Sequence, residues 1–275
     1  MVFESITYPS YAKINLFLHI IGKRKDAYHN LQTWFQFIDL KDFIQFKTRD
    51  DTDIKLSSNI VITDIHHNLV YKAAQLLKPY AQKYLGLEIH IDKHIPIGAG
   101  LGGGSSNAAT TLIALNKLWN CNLSNEKLRT IGQKLGADVP IFVYQKAAWA
   151  EGIGEILTAK DYIKQYALVI KPNFHAKTMT FFHHPDLNKH KAPLNKSIVT
   201  DPLPHENVFL DVIIKIHPKF YDELKKLPNA DALRLTGTGA CFYLLSKDYN
   251  LLLQNQKKLK KDVDSWIVKT LNFCS

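Results

Sequence analysis

The chain of 275 residues has little of what marks secreted, membrane-spanning or zinc-binding proteins. Its three cysteines, Cys121, Cys241 and Cys274, are too few and too scattered for a disulfide framework or a Cys-x-x-Cys zinc site. No run of about 18 uncharged apolar residues occurs, so the sequence predicts no transmembrane helix. The first residues, "MVFESITYPSYAK", lack the basic start and apolar core of a secretory signal. These absences predict a cytoplasmic protein without a membrane partner.

Signatures of nucleic-acid binding are also missing, although the chain is basic. Its formal net charge is +10, and its sequence pI is near 9.3. The basic clusters are short: "GKRKDAY" spans residues 22–28, and "QKKLKKDVD" spans residues 256–264 at the spacing of a solvated helix face. Without zinc-finger spacing or an RNP-type aromatic run, we expect no nucleic-acid partner. A positive field also favours the capture of small phosphorylated ligands.

The composition that remains, 46% hydrophobic and 22% charged, is typical of a globular protein with a sizeable core. Hydrophobic periodicity in the first half predicts strands and helices in alternation. The predicted strands cover residues 12–23 and 87–96, with two more inside residues 31–49 that are separated by a break at Asp39–Asp42. The predicted helices cover residues 67–86, ended by Gly86, and residues 107–119. Ser124 is expected to be the N-cap of a further helix.

The second half begins with residues 136–157, where turn chemistry at Gly136 and Pro140 precedes strand-like sequence. Residues 166–173 are typical of a buried strand, and residues 183–207 are polar, contain prolines and indicate loops. Helical and strand-like segments alternate after them. The sequence therefore predicts an α+β protein with two packed domains, residues 1–158 and residues 159–275.

One glycine-rich stretch, "PIGAGLGGGSSNAATTL" at Pro96–Leu112, leads into a predicted helix. Glycine reaches conformations with φ > 0, and it lets a ligand approach because no Cβ is in the way. The unpaired N–H groups of the first helical turn and the helix dipole then favour an anion. Ser105 and Ser106 add hydroxyl groups that suit phosphate oxygens or a phosphate-bound magnesium ion. We therefore interpret the stretch as a phosphate-binding loop.

Other interpretations of this loop fit less well. Gly98, Gly100 and Gly103 match the dinucleotide pattern G-x-G-x-x-G, but no acidic residue follows before Glu126, inside the next helix. The Walker pattern needs a lysine that the loop lacks, and a protein-kinase loop needs downstream His-Arg-Asp and Asp-Phe-Gly motifs that are missing. A tight turn without a ligand stays open, although so many glycines at a helix start are costly in backbone entropy.

The loop resembles the ATP-binding loop of the GHMP kinases, the superfamily of galactokinase, homoserine kinase and mevalonate kinase. Three further segments narrow the resemblance: "YAKINLFLHIIGKRKDAYHNLQTWFQFIDLKD" at Tyr11–Asp42, "GADVPIFV" at Gly136–Val143 and "RLTGTGACFYLL" at Arg234–Leu245. They are similar to the members that phosphorylate 4-diphosphocytidyl-2-C-methyl-D-erythritol in the non-mevalonate route to isoprenoid precursors. The "Y-H-x-L-Q-T" segment is the most specific of these motifs.

The resemblance implies a two-domain GHMP kinase fold, with an N-terminal domain like ribosomal protein S5 and a C-terminal ferredoxin-like α/β-sandwich domain. It also implies ATP and Mg²⁺ as cofactors, without a protein residue assigned as a metal ligand. The implied ATP-binding residues are Pro96, Ile97, Gly98, Ala99, Gly100, Leu101, Gly102, Gly103, Gly104, Ser105 and Ser106 of the loop, with Asn68 and Lys93 on the adenine side. Asn68 opens a helix, so it is equally a candidate N-cap.

The same resemblance assigns the catalytic roles to Asp138 and Lys13. Asp138 in "GADVP" matches the catalytic base, although an aspartate between glycine and proline also suits a turn or a helix cap. Lys13 is paired with Asp138, where it would hold the carboxylate ionised and stabilise the incoming alkoxide. A lysine that begins a strand is otherwise more often an exposed strand end. Asn15 lies on the same strand face as Lys13 and is expected to position the substrate.

The implied small-molecule acceptor carries a cytidine diphosphate group, whose base calls for aromatic faces and hydrogen bonds to its edge. Tyr28 and His29 match the residues that supply one face and the edge contact, and Phe182, in preference to Phe181, is expected on the opposite face. Gly237 and Gly239 of the "TGTGA" turn are expected to close over the substrate's phosphates. No metal site is predicted at His183 and His184, because adjacent residues point apart on a strand and no third ligand is near.

The implied reaction is in-line transfer of the γ-phosphoryl group of ATP to the 2-hydroxyl, without a phosphoenzyme. The protein is expected to be a monomer or a weak homodimer. Two alternatives stay open: another small-molecule GHMP kinase, and a ligand-binding protein of the same fold without catalysis. The presence of both Lys13 and Asp138 favours an enzyme, because a pure binder has no need of them.

Overall fold

The computed structural model describes residues 5–26, 28–174, 178–201, 206–239 and 241–274. Over these residues the chain forms ten strands and eight α-helices. The strands are β1 (Ser5–Lys23), β2 (His29–Arg49), β3 (Ile54–Ser58), β4 (Gly86–Asp92), β5 (Ala148–Glu151), β6 (Ile156–Ala159), β7 (Tyr166–Lys171), β8 (Arg234–Leu235), β9 (Phe242–Ser246) and β10 (Asp264–Leu271). The helices are α1 (Leu69–Leu77), α2 (Gly103–Leu118), α3 (Asn125–Gln133), α4 (Val139–Tyr144), α5 (Thr178–Phe182), α6 (Leu210–Ile216), α7 (Pro218–Leu224) and α8 (Tyr249–Lys258). The mixed α+β class predicted from the sequence is confirmed.

The chain divides into two compact units, each assembled from segments that are separated in the sequence. Unit 1 consists of Met1–Ala12, Leu40–Ile97 and Gly102–Gln145. Unit 2 consists of Lys13–Asp39, Gly98–Leu101 and Lys146–Ser275. The division of the chain between residues 158 and 159 stays a prediction.

Unit 1 combines a small sheet with helices. β4 pairs antiparallel with residues 43–49 of β2 and parallel with β3. Side chains alternate along these strands, so that Ile44, Phe46, Ile89 and Ile91 are all buried. Helices α1 and α4 both pack on α2, whose buried face includes Leu112.

Unit 2 is built around β7, which pairs antiparallel with β10 on one side and β9 on the other. β9 also pairs with β8, while β5 pairs with β6 and with residues 33–35 of β2. The unit's core is formed by Leu18, Ile20, Leu168, Ile170, Phe181, Leu187, Val208, Phe209, Leu210, Val212, Ile213, Leu224, Leu227, Leu233, Leu235, Phe242, Leu244 and Leu252. Full burial of such a side chain contributes about 1.5–3 kcal/mol, so this core stabilises the elements that it joins.

The predicted break at Asp39–Asp42 is wrong, because β2 runs through these residues as one strand. Asp39 Oδ1 accepts the backbone N–H of Lys269 at 2.7 Å. Asp42 is completely buried, and its Oδ1 accepts the backbone N–H groups of His94 and Ile95 at 2.7 and 2.8 Å. Polar residues that suggest a turn in the sequence are here satisfied acceptors, so the strand continues.

Two helix boundaries and the type of one element also differ from the predictions. Helix α1 ends at Leu77, and a 3₁₀ helix follows at Lys78–Tyr80, because Pro79 cannot continue an α-helix. Gly86 therefore does not end the helix; it is the first residue of β4. The segment after Pro140 is the helix α4 rather than a strand, with the proline in the first turn, where its missing N–H is not needed. Helix α2 begins at Gly103 rather than Asn107.

Other predictions are confirmed. Ser124 caps α3, its Oγ accepting the Lys127 backbone N–H at 3.2 Å. The three cysteines are free thiols in the interior. The helix face predicted at residues 256–264 is confirmed only at its start, where Lys257 and Lys258 lie exposed, because α8 ends at Lys258. Among the described helices, none has the length and apolar character needed to cross a bilayer.

Candidate active site

The loop before α2 alternates glycines with buried anchors. Gly98, Gly100 and Gly102 have φ values of 68°, 73° and 75°, in the left-handed region that favours glycine. Between them, Ala99 and Leu101 are buried. The anchors hold the loop in place, while the glycines between them leave its backbone without side chains.

Helix α2 begins without a capping side chain, because its N-cap is Gly102. Its first hydrogen bond runs from the Ser106 backbone N–H to the Gly102 carbonyl at 2.8 Å. The N–H groups of Gly103, Gly104 and Ser105 precede that bond, so they have no partner within the helix. Together with the helix dipole, these donors form a site suited to phosphate.

The two serines of the first turn differ in their surroundings. Ser105 is half-buried, whereas Ser106 is buried and its Oγ lies 2.8 Å from Ser10 Oγ. Ser105 is therefore the serine whose hydroxyl suits a ligand at the helix start. The contact of Ser106 with ATP stays a prediction.

Asp138 is the N-cap residue of α4, but its carboxylate makes no capping hydrogen bond. The explanation of Asp138 as a helix cap therefore does not hold for its side chain. The residue is half-buried, and the next two residues, Val139 and Pro140, are buried. A Cβ placed on Gly136 would lie 3.8 Å from Ser105 Oγ, so the segment that carries Asp138 runs beside the start of α2.

A second residue expected at the nucleotide, Asn68, caps α1. Its Oδ1 accepts the Val70 backbone N–H at 2.9 Å. The capping alternative is thus confirmed, and an adenine contact of Asn68 stays a prediction.

A buried carboxylate that the motifs did not reveal lies beside the start of α2. Asp42 Oδ2 pairs with Lys93 Nζ and accepts Asn107 Nδ2 at 2.8 Å. Lys93 Nζ also donates to Asn107 Oδ1 at 2.9 Å. A Cβ on Gly103 would lie 3.3 Å from Lys93 Nζ. The structure thus places Lys93 at the first turn of α2.

A signal for Asp42 is present in the sequence. In "DFIQFKT" the apolar residues alternate, and Asp42 falls in phase with the buried Ile44 and Phe46. An ionised carboxylate on the apolar face of a strand must have partners, so it indicates a polar cluster in the interior.

In unit 2, Lys13 and Asn15 of β1 form a second polar cluster. Lys13 is 2% exposed, so it is not an exposed strand end. Its Nζ donates to Asn15 Oδ1 at 2.7 Å and lies 5.4 Å from the centroid of the Phe35 ring. The prediction that Lys13 and Asn15 share a face is confirmed. Asn15 Nδ2 donates to Thr33 Oγ1 at 2.8 Å, and Asn15 Oδ1 accepts the Gly237 N–H at 3.1 Å.

The second glycine turn packs on the first through the backbone alone. Gly237 and Gly239 have φ values of 61° and 100°. A Cβ on Gly237 would lie 3.0 Å from the Gly100 carbonyl oxygen, and one on Gly100 would lie 3.0 Å from the Gly239 oxygen. The backbone N–H of Lys13 donates to the Leu101 carbonyl at 3.0 Å. Residues 98–101 are therefore held between β1 and the turn at residues 236–239.

Two of the residues expected at the cytosine ring are brought together. His29 stacks on Phe182 with ring centroids 5.6 Å apart and planes 27° apart. Phe182 is half-buried, whereas Phe181 belongs to the core, so Phe182 is the ring that a ligand can reach. Tyr28 is 59% exposed next to His29, and its backbone N–H donates to Asp26 at 3.2 Å.

The surroundings of His29 lower its pKa. Partial burial is the main cause, and the charges of Lys189 and Lys23 add to it. His29 is therefore uncharged at neutral pH. A neutral imidazole donates at one nitrogen and accepts at the other, which suits the edge of a nucleobase.

The adjacent His183 and His184 follow helix α5, so the argument from a strand geometry was wrong. His184 Nδ1 lies 3.8 Å from a carboxylate oxygen of Asp186. Over the described parts of the chain, no group of three or more potential metal ligands is found.

Comparison with known proteins gives four consistent matches. Residues 68–146 match the family model for the N-terminal domain of GHMP kinases. A 4-diphosphocytidyl-2-C-methyl-D-erythritol kinase from Francisella tularensis subsp. tularensis (strain FSC 198) is 53% identical over 270 residues, 97% of this chain and 96% of the relative. The Acinetobacter baylyi kinase of the same name is 47% identical over 84% of each chain. A crystal structure of a 4-(cytidine 5'-diphospho)-2C-methyl-D-erythritol kinase superposes with a TM-score of 0.82 at 25% identity, covering 96% of this chain and 99% of that one.

Proposed function

Since this chain belongs to the 4-diphosphocytidyl-2-C-methyl-D-erythritol kinase family of the GHMP kinases, we propose that it phosphorylates the 2-hydroxyl of that compound with ATP. The reaction belongs to the synthesis of isoprenoid precursors. The observation that carries the proposal is the 53% identity to such a kinase over 97% of the chain. The geometry of the glycine loop, the buried lysine and the stacked aromatic rings supports it.

The triphosphate is proposed to bind at the first turn of α2. The N–H groups of Gly103, Gly104 and Ser105 point out of that turn, and glycine at the N-cap leaves no side chain to occupy them. In phosphoryl transfer, positioning and charge stabilisation do most of the work, so a rigid cradle of this kind is the main requirement.

Mg²⁺ is proposed to accompany ATP. The residues at the start of α2 fit this ion, because the Ser105 hydroxyl is an oxygen ligand of the kind that Mg²⁺ prefers. The Ser105 hydroxyl, half-buried at the helix start, would hold it. The bound ion supplies neutralisation of the charge on the phosphates.

Asp138 and Lys13 are proposed to act on the acceptor hydroxyl, as the family resemblance implies. Asp138 takes the proton of the 2-hydroxyl, and Lys13 stabilises the developing alkoxide. The alkoxide oxygen bonds to the γ-phosphorus while the bond to the β-phosphate oxygen breaks, which releases ADP. Asn15 holds Lys13 in position through the bond at 2.7 Å.

The cytosine ring is proposed to lie near His29 and Phe182, with Tyr28 covering one face. Aromatic side chains stack on nucleobases with about 1–3 kcal/mol per base. The stacked pair of His29 and Phe182 supports this placement. Gly237 and Gly239 are proposed to approach the acceptor's phosphates through their backbone.

A coupled assay of ADP release tests the proposal. The purified protein is supplied with ATP, Mg²⁺ and one acceptor at a time: the cytidyl substrate, homoserine or mevalonate. Turnover with the cytidyl substrate alone is expected. Turnover with homoserine or mevalonate instead would refute the proposed acceptor, while the protein would still act as a GHMP kinase. ATP binding without any turnover would favour a ligand-binding protein without catalysis. The monomeric or weakly dimeric state, the cytoplasmic location and the lack of a nucleic-acid partner stay predictions.

A further inference from the structure

The cluster around Asp42 lies beside the first turn of α2, and the motifs assign no role to its carboxylate. Asp42 is completely buried, and both of its carboxylate oxygens are used. Oδ1 accepts the backbone N–H groups of His94 and Ile95 at 2.7 and 2.8 Å, which fixes the chain directly after Lys93. Oδ2 faces Lys93 Nζ and Asn107 Nδ2. One carboxylate therefore joins the segment after β4 to helix α2.

The lysine in this cluster is held in place but not enclosed. An ammonium group has three N–H donors. Lys93 Nζ gives one to Asp42 and one to Asn107 Oδ1 at 2.9 Å. Its side chain keeps 11% exposure, and its Nζ lies 3.3 Å from the position of a Cβ on Gly103. The third N–H is thus available at the first turn of α2, where the phosphate-binding N–H groups lie.

Helix α2 is fixed in the same cluster through the residues of its first two turns. Asn107 Nδ2 lies 2.9 Å from Ser10 Oγ, which in turn lies 2.8 Å from Ser106 Oγ. Ser10, Ser106 and Asn107 are all buried. The position of the helix start and the position of the ammonium are therefore set by the same buried carboxylate.

We propose that Asp42 is a positioning residue for ATP, which holds the Lys93 ammonium beside the first turn of α2 so that one of its N–H groups binds the triphosphate. Asp42 itself does not touch the nucleotide. This inference rests on the proposed function for the identity of the nucleotide, and it moves Lys93 from the adenine side to the phosphates.

The substitution Asp42→Asn tests the role because it changes only one of the two oxygens. The amide oxygen still accepts the N–H groups of His94 and Ile95. The amide nitrogen replaces Oδ2 and presents a donor to the ammonium of Lys93, which must move away. Asn107 can turn its amide to restore its own bond. The variant thus displaces Lys93 while retaining the backbone contacts.

The expected result is a Kd for ATP that rises by about tenfold, which corresponds to about 1.4 kcal/mol. Calorimetric titration with ATP measures it, and thermal unfolding confirms that the variant is folded. The KM for ATP rises in parallel. The KM for the cytidyl substrate changes by less than about twofold. Loss of affinity for both substrates alike would show general loosening and overturn the inference.

Asp92→Asn is the matched control. Asp92 lies next to Lys93 in the chain, contacts His94 Nε2 at 2.9 Å and is half-buried. It does not contact the ammonium, so its variant should bind ATP like the unaltered protein. An Asp42→Asn variant that binds ATP as tightly as Asp92→Asn would overturn the inference.

A double-mutant cycle with Lys93→Met separates positioning from other effects. If Asp42 acts through Lys93, the double variant binds ATP as Lys93→Met does. A double variant that binds more weakly than Lys93→Met contradicts the proposal. If Asp42→Asn alone fails to fold, the comparison of the double variant with Lys93→Met still decides the question. Neither of these two proteins has an ammonium at position 93 that the new amide could displace.

The titration also separates this inference from the proposed function. If the unaltered protein binds no ATP, both are overturned. If it binds ATP but does not phosphorylate the cytidyl substrate, the acceptor is wrong while the ATP affinities of the variants still decide the role of Asp42.

Discussion

Two buried polar clusters, one in each unit, each hold a lysine, but they do so with different chemistry. In unit 1, Lys93 pairs with the carboxylate of Asp42. In unit 2, Lys13 donates to the amide oxygen of Asn15 at 2.7 Å. Asp42 and Asn15 both lie on buried strand faces. The Asp42 carboxylate adds a negative charge beside its lysine, whereas the Asn15 amide adds a hydrogen-bond acceptor without a charge.

The difference fits the tasks proposed for the two lysines. Lys93 serves binding, where a fixed donor beside the helix start is enough. Lys13 serves catalysis, where its ammonium must stabilise an oxygen that becomes negative in the transition state. The comparison therefore predicts that changes near Lys93 alter the affinity for ATP, and that changes near Lys13 alter turnover.

The largest effect is expected from Asp138→Ala, which sharpens the separation between binding and turnover. Loss of a general base lowers kcat by about 10²–10⁴-fold. The affinity for ATP should persist, because the carboxylate makes no capping bond on which α4 depends. The ADP-release assay and ATP titration measure the two quantities. A variant with near-normal kcat would refute the assignment of Asp138 as the general base and favour proton loss assisted by the substrate. Asp138→Asn, which keeps the size of the side chain, is the control for folding.

Asn15→Asp is the direct attempt to break the comparison, because it replaces the uncharged amide that Lys13 contacts with a carboxylate. The added negative charge opposes the negative charge that develops on the acceptor oxygen, so kcat should fall by about tenfold to a hundredfold, which is below the largest loss seen when an oxyanion donor is removed. The KM for ATP should not change. Steady-state kinetics with both substrates varied provide the measurement.

The matched control for this variant is Thr33→Val. It removes the bond between Asn15 Nδ2 and Thr33 Oγ1, at 2.8 Å, without adding a charge. If Thr33→Val lowers kcat as much as Asn15→Asp does, the loss comes from the position of the amide and not from the charge of Lys13, and the comparison fails.

The parts of the site that sequence alone predicts are those carried by short motifs. The glycine loop, Lys13 with Asn15, and the pair of His29 with Phe182 were all identified from residue types and a family resemblance. Asp42 and Asn107 were not, because their role depends on partners that are far apart in the chain and meet only in the fold. A carboxylate in phase with buried residues is the single local sign of such a cluster.

An effect on one substrate only, and on KM instead of kcat, is expected from Tyr28→Ala. Loss of a stacking ring of about 1–3 kcal/mol raises the KM for the cytidyl substrate by about 5- to 150-fold. The KM for ATP should stay the same, since Tyr28 is proposed to contact only the base of the acceptor. Phe43→Ala, which removes another exposed ring, in unit 1, is the control. Equal changes in both KM values would contradict the cytosine contact.

The fold was predictable where periodicity is strong and less so where a distant partner decides. The strands at β4 and β7 and the cap at Ser124 follow from local patterns. The continuous β2 does not, because Asp42 resembles a turn residue until its partners at residues 93–95 and 107 are known. Pro140 likewise indicates a turn in the sequence, while a proline in the first turn of a helix is equally compatible with its chemistry.

The smallest effect concerns stability rather than kinetics, and it arises from another polar residue buried on β1. His19 is 3% exposed, and its burial lowers its pKa below the ordinary value, with the charge of nearby Lys191 adding to the shift. Below about pH 6.5 the unfolded chain binds a proton at His19 that the folded chain does not. The contribution of His19 to the free energy of unfolding is therefore complete above that pH. The stability of the fold decreases as the pH is lowered below about 6.5.

His19→Gln removes this titration, and its melting temperature should fall less between pH 7 and pH 5 than that of the unaltered protein, as measured by thermal unfolding at a series of pH values. If His19→Gln shows the same pH dependence as the unaltered protein, His19 does not limit acid stability. His19 would then resemble Asn15, a buried polar residue whose effect on stability does not depend on charge. It would differ from Asp42, whose buried charge is paired with Lys93.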